Sequence, residues 1–333
     1  MNAEHIAHIA DGIVRDTGPV ICNITGGGIR TLSALACMAH MDDYLQKKYN
    51  RRLQDIITAY AGSSCGALVA VCMAYLDMSP AYIMKHLFCP EILERIMPTE
   101  DNAQDSWCCF KFYCTPQFDG VGKRQIINQL VPAGTMQELC KGKPRLWIPT
   151  YNLSARKPEL HDSHTSTKSF REILDATSAA PGYYPPVHIG LDLHADGGLS
   201  ASSADMVAMA YGGQNCRIMS IGCGRHETVK YPLERYSGII GWFQNNLIEI
   251  FIRAPHQLQH ELMRESMGDR FLRINGDYSD SVSDSLCDIS RDNIRSLKAM
   301  GHRWFQVFKH DIIRFLAQPV RERFGSFSGP TST

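Results

Sequence analysis

Twice in its N-terminal part the chain carries a short apolar run that passes through glycines straight into a helix-forming segment, and this transition limits its fold more than any other feature. Val20-Ile21-Cys22-Asn23-Ile24 reads as a buried strand, runs into Thr25-Gly26-Gly27-Gly28-Ile29-Arg30, and continues into the helix-forming Thr31-Leu32-Ser33-Ala34-Leu35-Ala36. A second strand-like run over residues 55–61 ends in Gly62-Ser63-Ser64-Cys65-Gly66, with a helical pattern over 67–76 directly behind it. Strands that turn abruptly into helices build βα units, whose helices cover a parallel sheet and whose ligand site lies at the carboxyl ends of the strands. Further strand-like runs at 146–150 and 218–221 alternate with helical patterns. The expected fold is therefore α/β with a mainly parallel central sheet.

The remaining composition narrows the class of protein. Lys+Arg 34 against Asp+Glu 34 leaves no net charge, which argues against a nucleic-acid partner, since such proteins carry a basic excess to meet phosphates. Twelve cysteines are scattered without a Cys-x-x-Cys pair in a chain long enough to need no covalent staples, so they read as reduced core residues. Cys108, Cys109 and Cys114 lie closest together but lack the spacing of a zinc site. His256 and His260 have i,i+4 spacing without the Glu of a zinc-protease helix, so no metal and no cofactor are expected. Residues 1–15 show no secretory signal, and the longest apolar run, 65–76, falls short of the ~20 residues that cross a bilayer. A soluble, cytoplasmic protein is expected, with room for peripheral membrane contact. Near the C-terminus Ile294, Leu297, Trp304, Phe305, Phe308 and Ile312 keep helical spacing behind Ser290 as N-cap, predicting an amphipathic helix that packs back on the domain. Ile239, Ile240, Phe243, Leu247, Ile250 and Phe251 recur in the same way.

Chemistry concentrates at the two glycine turns. The first offers free backbone N–H groups at a helix start. A dinucleotide fingerprint would need glycine where Thr31 stands, and a P-loop would need a Gly-Lys-Ser/Thr end that is absent. An oxyanion hole needs only two aligned N–H groups, which Gly27 and Gly28 could supply, and a plain tight turn is the alternative. The second turn is Gly-x-Ser-x-Gly in the strand–turn–helix setting of a nucleophile elbow, with Ser64 as the central serine and Gly62 and Gly66 permitting the sharp bend. Ser63 is off-centre, and Cys65 has no local histidine or cation to activate it, so both read as structural. A serine needs a base. Asp196, in His194-Ala195-Asp196-Gly197-Gly198-Leu199, sits where a turn aspartate can reach across a cleft, while none of the 13 histidines is singled out and His194 is a minor candidate.

Taken together, the chain resembles the patatin-like phospholipases. Gly26-Gly27-Gly28-Ile29-Arg30 matches the family's oxyanion loop, Gly62-Ser63-Ser64-Cys65-Gly66 its elbow, and Asp196-Gly197-Gly198 its Asp-Gly-Gly/Ala motif. In the same order, Thr177-Ser178-Ala179-Ala180-Pro181 is similar to its Ser-Ala-Ala-Pro segment and Ser220-Ile221-Gly222-Cys223-Gly224 to its Ser-Ile-Gly-Thr-Gly strand, with weaker likeness at Leu272-Arg273-Ile274 and 287–297. Thr25 stands where many members have Asp, and Ala201-Ser202-Ser203 where Asn-Pro is common. The resemblance implies a three-layer α/β/α sandwich, with 1–18 as an N-terminal extension, 19–310 as the catalytic domain, and 311–333 as a helix end and tail.

It also implies a Ser64–Asp196 dyad, an oxyanion hole at Gly27 and Gly28, support from Gly26, Arg30, Gly62, Gly66 and Gly197, and hydrolysis of a phospholipid or other acyl-lipid ester through an acyl-enzyme. Arg30 would orient the loop or meet a lipid phosphate. An acyltransferase or triacylglycerol lipase on the same dyad, or an inactive interaction protein, are the alternatives, and an unidentified activator fits the family. The aromatic segment Trp107-Cys108-Cys109-Phe110-Lys111-Phe112-Tyr113-Cys114 reads as a covering loop or as a lid at a lipid interface.

Overall fold

The computed structural model describes residues 18–99, 115–201, 203–225, 247–279, 281–283 and 285–317, with 247–255 as backbone alone. The cysteine cluster at 108–114 with its aromatic segment, residues 1–15, Ile239, Ile240, Phe243 and the tail after Phe324 lie outside the described residues.

In chain order, β1 (Val20–Ile24) is followed by α1 (Thr31–Tyr49), β2 (Ile57–Gly62), α2 (Ser64–Ala74), α3 (Pro80–His86), α4 (Pro90–Ile96) and α5 (Val121–Leu130). Then come β3 (Arg145–Asn152), β4 (Lys157–Asp162), α6 (Phe170–Thr177), β5 (Val187–Ile189), β6 (Asp192–Ala195), α7 (Asp205–Gly212) and β7 (Arg217–Ile221). The last elements are α8 (Leu247–Met267), β8 (Phe271–Ile274) and α9 (Arg291–Ala317). One sheet runs in the order β5-β6-β3-β2-β1-β7-β8, with β4 also paired to β3. β3, β2, β1, β7 and β8 pair parallel with one another in that order, while β4 and β6 pair antiparallel with β3, and β5 antiparallel with β6, at one edge.

Period-two alternation divides the core. Val20, Cys22 and Ile24 of β1 face the larger cluster, with Leu35 of α1, Val69 of α2, Ile173 of α6 and Trp304 of α9. Ile21 faces the smaller cluster, with Ala208 of α7 and Met263 and Met267 of α8. Helices thus cover both faces of a mostly parallel sheet, as the sequence pattern predicts. The chain leaves β1 toward β2 and β3 and later returns to its other side as β7. This reversal makes the carboxyl ends of β1, β2 and β7 a switch point where a crevice opens.

Two expectations need correction. The second strand begins at Ile57, not at Asp55, because 53–56 closes a helical turn held by Arg52, whose backbone N–H and guanidinium both donate to the Asp55 carboxylate. The helix after the elbow opens at Ser64 and not at Ala67, which makes the turn one of almost no length. β4, β5 and β6 show no apolar signal because they are short or polar strands at one end of the sheet, and β4 contains Pro158. Ser290 caps α9 by accepting from the Asn293 N–H at 3.3 Å, and Leu297, Met300, Trp304 and Phe305 pack on the larger core. Nine of the twelve cysteines are described, and all nine are free thiols.

Candidate active site

The elbow forms because β2 and α2 meet with no spare residue between them. Ser64 carries φ 53°, a left-handed conformation that costs a non-glycine residue energy and is stored where surrounding contacts over-determine it. Those contacts are identifiable. The Ser64 N–H donates to Thr177 Oγ1 at 3.2 Å, and the Thr177 hydroxyl donates to the Pro149 carbonyl at 2.7 Å, tying the elbow to the end of α6 and to β3. Gly66 lies so close to β1 that a Cβ there would run into the Ile24 carbonyl, and a Cβ on Gly26 would stand 2.8 Å from the Ser64 Cβ. Neither position can hold a side chain without separating the two turns. Gly62 closes β2 against Gly66, and Gly197 donates its N–H to the Thr177 carbonyl at 3.2 Å.

Asp196 follows β6 directly and is brought to Ser64 across 132 positions of sequence. The Ser64 hydroxyl donates to Asp196 Oδ2 at 2.8 Å, and the Gly198 N–H donates to Oδ1 at 2.7 Å. The Asp196 N–H in turn donates to the Ala179 carbonyl at 3.1 Å. Asp196 is 4% exposed. Burial pushes its carboxyl up to about 6, against the opposing pull of the Gly198 N–H, the Ser64 hydroxyl and the Lys123 charge. A carboxylate near 6 is mostly ionised at neutral pH yet basic enough to take a proton, the range suited to general-base work.

The glycine loop lies beside this pair. Among the described residues the Gly27 and Gly28 N–H groups have no hydrogen-bond acceptor, whereas the next two N–H groups, of Ile29 and Arg30, donate to the Leu286 and Gly27 carbonyls. Gly28 has φ +56°, and a Cβ there would collide with the Leu286 carbonyl. Arg30 is buried, donates to the Gly27 carbonyl at 3.4 Å and stands 5.9 Å over the Tyr278 ring, so its visible contacts hold the loop. His194 is engaged elsewhere, its Nδ1 3.0 Å from Thr150 Oγ1, and has no hydrogen bond to Ser64. Burial pushes the Cys65 thiol up to about 12, which removes it as a nucleophile at neutral pH.

Lys123 on α5 belongs to no motif and escapes a reading of the sequence. It is 3% exposed, and its ammonium donates to the carbonyls of Asp175 at 2.9 Å and Ser178 at 3.0 Å and pairs with Asp175 Oδ1 at 3.0 Å. The residues it pins flank Thr177 and Ala179, the contacts of Ser64 and Asp196, and the ring of Tyr184 lies 4.3 Å away.

A polar cluster on the smaller-core side also had no sequence signal. Asp205 is fully buried and accepts from Asn23 Nδ2 at 2.7 Å and the Ser203 hydroxyl at 2.7 Å, and it pairs with His260 Nε2 at 3.0 Å. Glu159, Asp192 and His194 bring three potential metal ligands together, and the Asn152 amide donates to both carboxylates, at 3.0 and 3.1 Å.

Ser64, Asp196 and the glycine loop open into one cavity of about 1480 Å³, larger than a typical small-molecule pocket. Leu68, Ile83, Phe88, Leu93, Ile126 and Ile127 form an apolar wall. Among the described residues no helix is long and apolar enough to cross a membrane.

An open α/β sheet with a glycine loop, a serine on a strand-to-helix turn and an aspartate bonded to it defines a recognisable class. The model of the family described as patatin-like phospholipase matches residues 24–206, more than half of the chain, and the chain belongs to that family. A relative from Pseudomonas aeruginosa, a cGAMP-activated phospholipase, is 22% identical over 317 residues, covering 90% of each chain. Among solved structures, VipD from Legionella pneumophila has a TM-score of 0.36 at 11% identity, covering 87% of this chain and 67% of its own. Human GIVD cytosolic phospholipase A2 has a TM-score of 0.46 at 9% identity, covering 95% of this chain and 64% of its own. The chain spans slightly less than two thirds of that enzyme.

Proposed function

We propose that the chain is a lipid acyl hydrolase that cleaves a fatty-acyl ester of a phospholipid by a serine–aspartate dyad. As Ser64 Oγ attacks the ester carbonyl carbon, Asp196 Oδ2 takes the hydroxyl proton. The Gly27 and Gly28 N–H groups meet the oxyanion, a contact for which one donor is typically worth ~3 kcal/mol. Collapse of the tetrahedral intermediate breaks the ester C–O bond, and Asp196 passes its proton to the departing lysolipid oxygen. Water then gives a proton to Asp196 as its oxygen adds to the acyl carbon, and Asp196 returns that proton to Ser64 Oγ as the acyl C–Oγ bond breaks, releasing fatty acid and restoring both residues. The apolar wall takes the acyl chain.

The observation that carries this reading is the 2.8 Å hydrogen bond from the left-handed Ser64 to a buried carboxylate, with the unpartnered loop N–H groups beside it. The activity named for the Pseudomonas relative supports the phospholipid as substrate, and its activation by cGAMP supports a nucleotide activator here as well. The test is fatty-acid release from phosphatidylcholine and phosphatidylglycerol vesicles, with and without cGAMP, read by mass spectrometry. Wild type should release fatty acid while Ser64→Ala and Asp196→Asn lose at least a thousandfold. Equal release by Ser64→Ala would remove the proposal.

A further inference from the structure

The proposed chemistry leaves one side of the cavity unused. Opposite in character to the apolar wall, it is lined by Arg225, Arg264, Arg273, His260 and Asn275, which come from the carboxyl ends of β7 and β8 and from α8. Arg273 is the telling residue. Its Nη1 donates to two neutral hydroxyls, Thr25 Oγ1 at 2.9 Å and Ser220 Oγ at 2.7 Å, and its buried Nε has no partner among the described residues. The buried carboxylate that feels its charge, Asp205, is already taken by Asn23, Ser203 and His260. Among the described residues no carboxylate forms an ion pair with Arg273 or Arg264, whereas Arg225 is paired with Asp277 at 2.6 Å and His260 with Asp205 at 3.0 Å.

A largely buried guanidinium with no carboxylate in direct contact is costly, and it persists where an anion completes it. Arg264 lies one helical turn from His260, and both arginines act on that imidazole. Among the described residues Glu261 is the one carboxylate besides Asp196 that lines the cavity. Thr25, which Arg273 holds, directly precedes Gly26, so this cationic side adjoins the glycine loop.

We propose that Arg273 and Arg264, with Asn275 and His260, form a subsite for a phosphate-ester anion in the same cavity as Ser64. Planar guanidinium groups suit the paired oxygens of a phosphate, and they bind it more strongly than neutral donors do. The inference builds on the reading of the cavity as an acyl-lipid site. In a glycerophospholipid only a few bonds separate the phosphate from the acyl ester, so both must occupy one cavity. A soluble phosphodiester effector would present the same chemistry.

The first test reads binding without turnover, in the full chain carrying Ser64→Ala, by ligand-detected NMR titration with glycerophosphocholine. Binding should weaken about tenfold or more with Arg273→Gln and with Arg264→Gln. Absence of binding to the parent, or equal binding by both variants, overturns the subsite. Should Arg273→Gln fail to fold by circular dichroism, Arg264→Gln decides, since Arg264 is exposed on α8. The second test compares kcat/KM for phosphatidylcholine with that for a neutral diacylglycerol of the same chains. A lipid phosphate in the subsite lowers this ratio about tenfold in the variants. A soluble effector in the subsite keeps the ratio and removes activation of both substrates by a phosphodiester, whereas parallel loss on both substrates with no such activation overturns the proposal. If the parent binds glycerophosphocholine but wild type hydrolyses neither lipid, the hydrolase reading fails while the subsite stands.

Discussion

Burial of Asp196 predicts that the residue most needed for activity is also a burden on the fold. Its carboxyl ordinarily titrates at 3.8 and is raised to about 6 in the folded chain, so folding binds a proton between those values. An acid whose folded value is raised destabilises the native state as pH climbs through that window, and the penalty is complete above the folded value. Roughly two pH units at about 1.4 kcal/mol each put the penalty near 3 kcal/mol at pH 8. Asp196→Asn removes the charge while keeping both contacts, since its Oδ1 can accept from Gly198 and its amide can donate to Ser64 Oγ. The variant should therefore be inactive yet more stable at pH 8, by up to about 3 kcal/mol or roughly 5 °C in thermal midpoint. At pH 5 the gain should shrink to about half, because the folded carboxyl is then mostly protonated and no longer carries a buried charge, while the unfolded one is still largely ionised. Circular-dichroism melts of both proteins at pH 5 and pH 8 test this. A variant less stable than wild type at pH 8, or a gain independent of pH, would refute the reasoning.

Three further outcomes follow from the same contacts. Activity should fall as pH drops through about 6, where Asp196 takes up its proton, and Lys123→Met should move this limb to higher pH because the lysine charge favours the carboxylate; pH profiles of kcat/KM read both, and an unmoved limb in a folded variant contradicts the role given to Lys123. Thr177→Val strips the acceptor from the Ser64 N–H and the donor from the Pro149 carbonyl, so it should cost about 2 to 4 kcal/mol in denaturant unfolding and lower kcat. Iodoacetamide at pH 8 should leave Cys65 unmodified and activity intact, since burial holds its thiol near 12; mass spectrometry of tryptic peptides would expose the contrary.

The parts legible in the sequence were those whose physical reason is local. A strand followed by Gly-x-Ser-x-Gly and a helix states its own geometry, because the close approach of Gly66 to Ile24 leaves no room for a side chain. Ser64, Asp196 and the glycine loop were therefore readable as residues, and the structure brings them together. The glycine and Arg30 supports were readable with them, but the side chains that hold the site from a distance were not assigned a role. Thr177 meets Ser64 across 113 positions, Lys123 meets Ser178 across 55, and Arg273 meets Thr25 across 248; Thr177 and Arg273 lie in segments that share the resemblance, but nothing local states these contacts, and nothing at all marks Lys123. The edge strands were hidden for a different reason. β4 spends its residues on polar pairs such as Arg145 with Asp162 and shows no apolar alternation.

The central claim is that Ser64, made nucleophilic by Asp196, forms a covalent bond to the acyl group. Labelling with a fluorophosphonate, followed by peptide mapping, tests it most directly. The account predicts one adduct on the peptide carrying Ser64, lost in Ser64→Ala and slowed at least a hundredfold in Asp196→Asn. An adduct on any other residue, or equal labelling of Ser64→Ala, would contradict it.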